Sequence, residues 1–397
     1  MRPSAPLPVL FFASAAHGMN HVLLTLYLTL VLVLTQVWHL PYNELIALWT
    51  FGATLVGFGA PLAGWLADKI GETKVLALCF LGLGTSSILC GFAQNTFQLE
   101  VALALLGLSG SIYHPVGISW VVKHATVRGR AIALTGVAGS IGVALGPVVA
   151  AGLASLWSWR AAFIVPGILT VALGVALLVF HVAGRIVDRD GDSVPHSHEP
   201  SRANITRTFA VMAFTMTATL VVYSAFGTAL PKLIELSNVA GRYGLVGIGA
   251  VVSAIELLGA GAQFVGGHFA DRGAAKRAYL GAFLLLAMVF PLVALSGGWG
   301  VAAASIAVIF LFESIAPVET MFIARYTPAQ RRGLVFGMRY GLATIGTPLG
   351  VWLVARLYSS GTQFLYLLAT LSVLSLAALA AALFLPSDRN TVALPAE

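Results

Sequence analysis

Three histidines interrupt long apolar segments at positions where imidazoles could pass a proton or bind a metal ion. His17 and His21 are one helical turn apart and therefore share a helix face, with Asn20 beside them. His114 follows Tyr113 in another apolar segment, immediately before a proline whose missing N–H frees a backbone carbonyl nearby. These polar side chains are the first candidates for a binding site.

A second set of candidates consists of ionisable side chains in the other half of the chain. Glu313 and Glu319 are six residues apart in one apolar segment, so they point in different directions, whereas Glu256 and Tyr223 lie in two further segments. An ionisable group inside a membrane costs about 2.5–3.5 kcal/mol, which makes each one a candidate for function. Glu313 is the strongest, because it lies near the bilayer centre; for each buried carboxyl, lost hydration favours the neutral form that a proton carrier needs. Arg339 lies at a depth similar to that of Glu319.

Each candidate also has a purely structural interpretation. A histidine in a helix often makes a packing hydrogen bond, and Glu256 could bond to a neighbouring helix. Glu319 and Arg339 could form a closing ion pair instead of binding a substrate. These alternatives stay open at the level of sequence.

The composition excludes several classes of protein. Of the 397 residues, 58% are hydrophobic and only 9% are charged, whereas soluble domains carry about 25% charged residues. This excludes a soluble enzyme, a disordered chain and a nucleic-acid-binding domain. The net charge of +7 comes from basic residues between the apolar runs, and the 42 glycines are typical of closely packed membrane helices.

A helix crosses a bilayer with about 20 apolar residues. Such runs predict an all-α membrane protein with twelve spans, at 8–37, 43–67, 75–95, 97–122, 130–155, 160–182, 207–235, 244–270, 278–297, 299–324, 334–357 and 362–386. One long polar segment, 183–206, separates an N-terminal six-helix bundle (1–182) from a C-terminal one (207–397).

The basic residues predict the orientation of these spans. With both termini and the 183–206 linker in the cytoplasm, 17 of the 22 Lys and Arg residues face inward, 4 face outward, and Arg339 lies within a span. This asymmetry follows the positive-inside rule.

The two halves of the chain repeat each other. Gly64–Lys74 recurs as Gly267–Lys276, and Ser140-Ile-Gly142 recurs as Thr344-Ile-Gly346. The offset stays between 202 and 204 residues at these and two other landmarks. A duplicated six-helix unit is typical of secondary transporters.

The repeated segment resembles the loop motif of the major facilitator superfamily, and the resemblance covers the whole chain. It implies two pseudo-symmetric six-helix bundles, with spans 1, 4, 7 and 10 lining a central cavity. In that family the acid and the basic residues of the motif hold the cytoplasmic helix ends together in the outward-facing state. The matching gating residues are Gly64, Asp68, Gly71 and Lys74 in the first copy and Gly267, Asp271 and Lys276 in the second.

Span 5 carries small residues at four-residue intervals. Ala138, Gly142, Gly146 and Pro147 resemble the family's antiporter motif, although Ala150-Ala151 stands where that motif ends in two glycines. Such a stripe lets a helix approach its neighbour closely, and the proline bends it. The resemblance favours export over import.

A narrower resemblance is to the fosmidomycin-resistance branch of drug exporters. The segments Ala16–His21, Ser111–Pro115 and Gly139–Pro147 are similar to that branch, which implies proton-driven efflux. Two acids of the branch are replaced, one by His21 and the other by Val116.

These observations predict a secondary active transporter of the bacterial inner membrane, in contact with lipid and acting as a monomer. The first hypothesis is a proton-coupled antiporter that exports small amphipathic or anionic organic compounds. The alternative is an importer of a transition metal or metal chelate that uses the membrane-embedded histidines as ligands. With no Walker loop or zinc-hydrolase spacing, we expect neither an enzyme nor a bound cofactor or resident metal, and no nucleic-acid partner.

The predicted orientation can be tested with single cysteines in a cysteine-free background. Because Ser193 lies in the linker and Ser237 follows span 7, we expect cysteines at these two positions to react with impermeant thiol reagents from opposite sides of the membrane. Labelling of both from one side would exclude this topology.

Overall fold

The chain forms membrane-spanning α-helices, as its composition predicts. The computed structural model describes residues 5–189, 202–272, 274–326, 332–359 and 361–386. Within these ranges, eleven helical spans are long and apolar enough to cross a membrane, and a shorter apolar stretch, Ile345–Leu357, belongs to another helix. The protein is therefore a multi-pass membrane protein.

The helices follow the predicted spans closely. In chain order they are α1 (Leu7–Val37), α2 (Tyr42–Ala47), α3 (Trp49–Ile70), α4 (Glu72–Phe92), α5 (Thr96–Gly110), α6 (Ile118–His124), α7 (Arg128–Leu156) and α8 (Trp159–Val182). They continue as α9 (Arg202–Ser237), α10 (Gly244–Ala260), α11 (Ala262–Asp271), α12 (Ala275–Leu295), α13 (Trp299–Tyr326), α14 (Arg332–Leu357) and α15 (Leu365–Ala382).

Three predicted spans contain interruptions. Span 2 is divided at Leu48 and span 8 at Gly261, so each consists of two consecutive helices. Span 4 contains a π-helical turn, Tyr113–Gly117, between α5 and α6. Pro115 lies inside this turn and cannot donate the backbone hydrogen bond that a regular α-helix requires there.

The described chain forms two compact units. The first contains α1–α8 and the segment Ile234–Ala254, and the second contains most of α9 and the chain from Ile255 onward. The segment of α10 in the first unit lies against α7: the backbone N–H of Val148 donates to Ser253 Oγ at 3.1 Å. This N–H follows Pro147, where the regular helical bonding of α7 is disturbed.

The small residues of span 5 face α1. A methyl group on Gly142 would collide with the carbonyl of Gly18, and one on Gly146 would collide with Thr25 Oγ1. The two helices therefore approach through their backbones, as expected for a stripe of small residues.

The repeated sequence produces a similar helix pair in the second unit. A methyl group on Gly346 in α14 would lie 2.5 Å from Leu220 Cβ in α9. One turn further on, Gly350 lies against Ser224, whose hydroxyl donates to the carbonyl of Thr347 at 2.8 Å. Gly142 and Gly346, which correspond in the repeat, thus occupy corresponding helix contacts.

The contact between α1 and α7 predicts different effects for two glycines of the same helix. Gly142→Ala should reduce stability by about 1–3 kcal/mol, because the methyl group overpacks against backbone. Gly136→Ala, where a methyl group would meet open space, should be neutral or slightly stabilising. Since Cys79 and Cys90 are buried, their reaction with a fluorogenic thiol reagent on heating measures unfolding. Equal unfolding temperatures in the two variants would contradict the packing described here.

Candidate functional site

The predicted histidines come together in the first unit. His17 and His21 lie on one face of α1, and His114 reaches the same place from the π-helical turn. The ring centroids are 5.0 Å apart for His17 and His21, 5.2 Å for His17 and His114, and 5.7 Å for His21 and His114. All three side chains are half-buried. They form the histidine cluster.

The neighbours of His17 hold its ring in a defined orientation. Its Nδ1 lies 2.8 Å from the carbonyl oxygen of Thr135 in α7, and its ring stacks on Tyr113 with centroids 4.4 Å apart. The ring lies over Gly139, where a methyl group would be 2.5 Å from Nε2. The predicted residue Tyr113 thus lies against the histidine cluster, whereas Thr135 was not foreseen because its contribution is a backbone atom.

Asn20 takes a different position from the histidines beside it. Its side chain is buried and faces Gly110 in α5, where a methyl group would lie 3.1 Å from Oδ1. This oxygen has no hydrogen-bond partner within the described ranges.

Two predicted carboxyls form a separate cluster in the second unit. Glu313 in α13 accepts a hydrogen bond of 2.6 Å from Gln263 Nε2 in α11. Glu256 is buried, and the two glutamates lie close enough to interact electrostatically with each other and with Tyr223. Tyr223 also contacts Phe312, with ring centroids 5.6 Å apart. Gln263 was not singled out in the sequence.

Within the described part of the chain, neither carboxyl of this cluster has a cation beside it. No Lys, Arg or His among the described residues forms an ion pair with Glu256 or Glu313. The pair is therefore suited to holding a proton, because two adjacent negative charges in a poorly hydrated environment would be costly.

Glu319 faces neighbours different from those of Glu313. Its buried carboxyl lies 3.0 Å from the hydroxyl of Tyr279, which lies 2.9 Å from Thr215 Oγ1. Tyr279 and Thr215 were not predicted. The side chain of Arg339, the predicted partner of Glu319, lies outside the described residues.

The first copy of the loop motif is arranged around Gly71. Its φ of +94° in the connection between α3 and α4 requires glycine. Gly64 borders open space, and the side chains of Asp68 and Lys74 are exposed. The polar contacts are made instead by the residues that follow Gly71.

A network around Thr73 ties the start of α4 to the chain that follows α8. Asp188 Oδ1 accepts hydrogen bonds from the backbone N–H of Thr73 at 3.1 Å and from its hydroxyl at 2.5 Å. Trp120 Nε1 donates to Thr73 Oγ1 at 3.0 Å. His124 lies 2.8 Å from the carbonyl of Trp120 and 2.9 Å from that of Val187.

Beside this network, Glu72 links α4 to α6. Its carboxylate forms an ion pair of 3.1 Å with Lys123 and accepts a 2.6 Å hydrogen bond from Ser119. The resemblance singles out Asp68, whereas Glu72 is the buried acid of the segment Gly64–Lys74.

In the second copy of the motif, the basic residue makes the polar contacts. Lys276 donates to the carbonyls of Leu383 and Leu385, at 2.7 and 2.5 Å, at the end of α15. A cation at that end compensates the exposed helix carbonyls. Gly267 borders open space, and the side chain of Asp271 lies outside the described residues.

Apolar spanning helices with half-buried polar clusters in each unit define a membrane transporter. Residues 10–316 match the sequence pattern of the Major Facilitator Superfamily, and the chain belongs to this family. It is a transporter and not an enzyme, as the sequence predicted. Members of the family bind small-molecule substrates.

Proteins similar in sequence are named for different transport functions. The chain is 26% identical to the multidrug resistance protein MdtG of Proteus mirabilis over 322 residues, which cover 78% of each chain. It is also 26% identical to the gentisate transporter of Corynebacterium glutamicum over 353 residues, 81% of this chain and 74% of that one. The fold resembles a bacterial homologue of the human lysosomal transporter Spinster, with a TM-score of 0.70 and 12% identity, over 97% of this chain and 95% of the other.

The contact of Asp188 with the start of α4 predicts a local effect of its removal. Asp188→Ala should destabilise the first turn of α4 by about 0.5–2 kcal/mol, as loss of a helix cap does. Hydrogen–deuterium exchange of a peptide covering residues 70–80 should then become faster. Glu44→Ala removes an exposed acid from the first turn of α2 and should leave that peptide unchanged. Unchanged exchange in Asp188→Ala would show that the carboxylate does not hold this turn.

Proposed function

We propose that the protein is a secondary active transporter that works by alternating access and exports small amphipathic or anionic organic compounds in exchange for protons. It resides in a bacterial inner membrane as a monomer, with both termini in the cytoplasm. The N-terminal bundle, 1–182, and the C-terminal bundle, 207–397, are its two moving halves. The 183–206 segment links them.

The observation that carries proton coupling is the pair of carboxyls formed by Glu256 and Glu313. The two carboxyls interact electrostatically, neither forms an ion pair with a basic side chain among the described residues, and Gln263 donates a hydrogen bond to Glu313. A proton on the pair relieves the repulsion between two poorly hydrated carboxylates. Its release on the other side of the membrane would provide the coupling step.

The substrate class is supported by the relatives and by the site. One relative is named for multidrug resistance and another for gentisate, an aromatic acid. The half-buried ring of Tyr223 offers a stacking surface beside the two carboxyls, which suits compounds with an apolar body and a polar end. The small-residue stripe of α7 favours export.

The gating roles are proposed on the loop motifs. Asp68, Lys74 and Asp271 take part in holding helix ends together in one of the two states, and Lys276 already binds the end of α15. Two acids near the first copy share this role. Glu72 contacts α6, and Asp188, which follows α8, contacts the start of α4.

A second candidate function is import of a transition metal or a metal chelate. One observation favours it, namely the approach of three imidazoles to one another in the first unit. Uptake of a radioactive metal ion by proteoliposomes, in competition with aromatic acids, distinguishes the two functions.

The proton pathway predicts contrasting effects of two glutamates in α13. In everted vesicles, Glu313→Gln should abolish uptake of gentisate or ethidium driven by a pH gradient, since the amide cannot carry a proton. Exchange of the same compounds without a gradient should persist. Glu319→Gln is the matched control. It should retain gradient-driven uptake, because Glu319 bonds to Tyr279 and lies outside the carboxyl pair.

Two outcomes would contradict this assignment. Full gradient-driven uptake by Glu313→Gln would move the proton to another group, with Glu256→Gln as the next variant. If neither probe nor any other small aromatic acid is transported by the wild-type protein, the proposed substrate class is wrong.

A further inference from the structure

The histidine cluster has the composition of a metal site. His17, His21 and His114 each offer a ring nitrogen, and the candidate ligand atoms all lie within 4.8 Å of one another. Donor atoms around a tetrahedral zinc ion, with Zn–N bonds of about 2.0–2.1 Å, are roughly 3.4 Å apart. The ring nitrogens therefore need to approach one another by at most about 1.4 Å to bind one such ion.

His17 is already prepared as a ligand. A carbonyl oxygen only accepts hydrogen bonds, so the 2.8 Å contact with Thr135 places the proton on Nδ1. Nε2 then carries a free lone pair in the neutral ring. A backbone carbonyl that fixes the tautomer in this way is the usual neighbour of a metal-binding histidine.

The surroundings keep this nitrogen available. The His17 ring is held between Tyr113, on which it stacks, and Gly139, which has no side chain to displace it. His21 is one helical turn from His17, and the π-helical turn brings His114 to the same place. Three helical elements, α1, the π-helical turn and α7, thus converge on the cluster.

The ligand set selects a class of ion. Three imidazoles suit zinc, nickel, copper or cobalt, whereas magnesium and calcium require oxygen ligands. Three protein ligands also leave a coordination position for water or an exchangeable anion. Because the imidazoles are neutral, an anion in that position would offset part of the charge of the ion in its apolar surroundings.

We infer that His17, His21 and His114 form a binding site for a divalent ion of the zinc, nickel and copper class, oriented by the carbonyl of Thr135 and with one position open to an exogenous ligand. This site does not depend on the export of organic compounds proposed above; it deepens the second candidate function, which rests on the same three imidazoles. Its test measures binding without transport.

The experiment uses the full chain, purified in detergent without an affinity tag. His196 and His198 are replaced by serine, so that they do not bind the ion. Isothermal titration with Ni²⁺ and Zn²⁺ should show one ion per chain. The visible absorption of bound Co²⁺ should report nitrogen ligands in a four- or five-coordinate site.

Variants separate the ligands from ordinary surface histidines. His114→Ala should lower the affinity by more than the roughly 10–100-fold typical of losing a group that only orients a ligand. His268→Ala, which removes an exposed histidine, should bind like the parent. Thermal unfolding of each variant without metal verifies that it is folded.

A second pair of variants leaves every ligand in place. Gly139→Ala should displace the His17 ring and reduce affinity about 10-fold, since it disturbs only ligand orientation. Gly136→Ala, one turn earlier with open space around it, should have no effect. This pair keeps the inference testable even if a histidine variant does not fold.

Three results would overturn the inference: no saturable binding by the parent, equal affinity in His114→Ala and His268→Ala, or protection of the three histidines from diethylpyrocarbonate by benzoate but not by Zn²⁺. The last result would make the cluster an aromatic binding surface. Failure of organic transport would leave all three measurements unchanged, so the two proposals fail separately.

Discussion

The absence of water in a bilayer determines where this protein can carry out chemistry. Backbone N–H and C=O groups must be paired inside each spanning helix, so departures from regular helix occur only where the protein itself tolerates them. Both polar clusters lie beside such departures. His114 lies in the π-helical turn, and Gln263, which holds Glu313, comes two residues after the interruption at Gly261. Each cluster thus receives one of its polar side chains from an interrupted span.

The same helix contact serves packing and chemistry in the first unit. Gly142 and Gly146 let α7 approach the backbone of α1. This short separation brings the carbonyl of Thr135 within hydrogen-bond distance of His17, and Gly139 leaves room for the ring. A wider spacing of the two helices would lose both the backbone packing and the fixed orientation of the imidazole.

Sequence reasoning predicts the spans, the internal repeat and the membership of the histidine cluster, because each depends on residue type or on spacing along one helix. The interruptions at Leu48 and Gly261 were missed, since hydropathy averages over about a full span. Pro115 is apparent in the sequence, and its missing N–H predicts a freed backbone carbonyl at that point. The formation of a π-helical turn there, however, depends on contacts with other helices.

The partners of the polar residues were much harder to predict. Thr135 acts through its backbone, which residue type does not reveal. Asp188 lies in a polar segment that the sequence presents as a linker, yet it binds Thr73, 115 residues earlier in the chain. Asp68 was singled out through the family motif and Glu72 was not considered, because only the packing of α6 reveals that Lys123 and Ser119 surround Glu72.

The anchoring of Val187 and Asp188 has a mechanical consequence for the covalent tether between the two repeats. Because these residues are bonded to His124 and Thr73, the connection between the repeats is held to the first unit as far as Asp188 instead of only to the end of α8. Six fewer extended residues shorten its maximum reach by about 20 Å. A tag or reporter inserted before Val187 would break helix-end contacts, whereas one inserted after Arg189 would lengthen the tether without touching them.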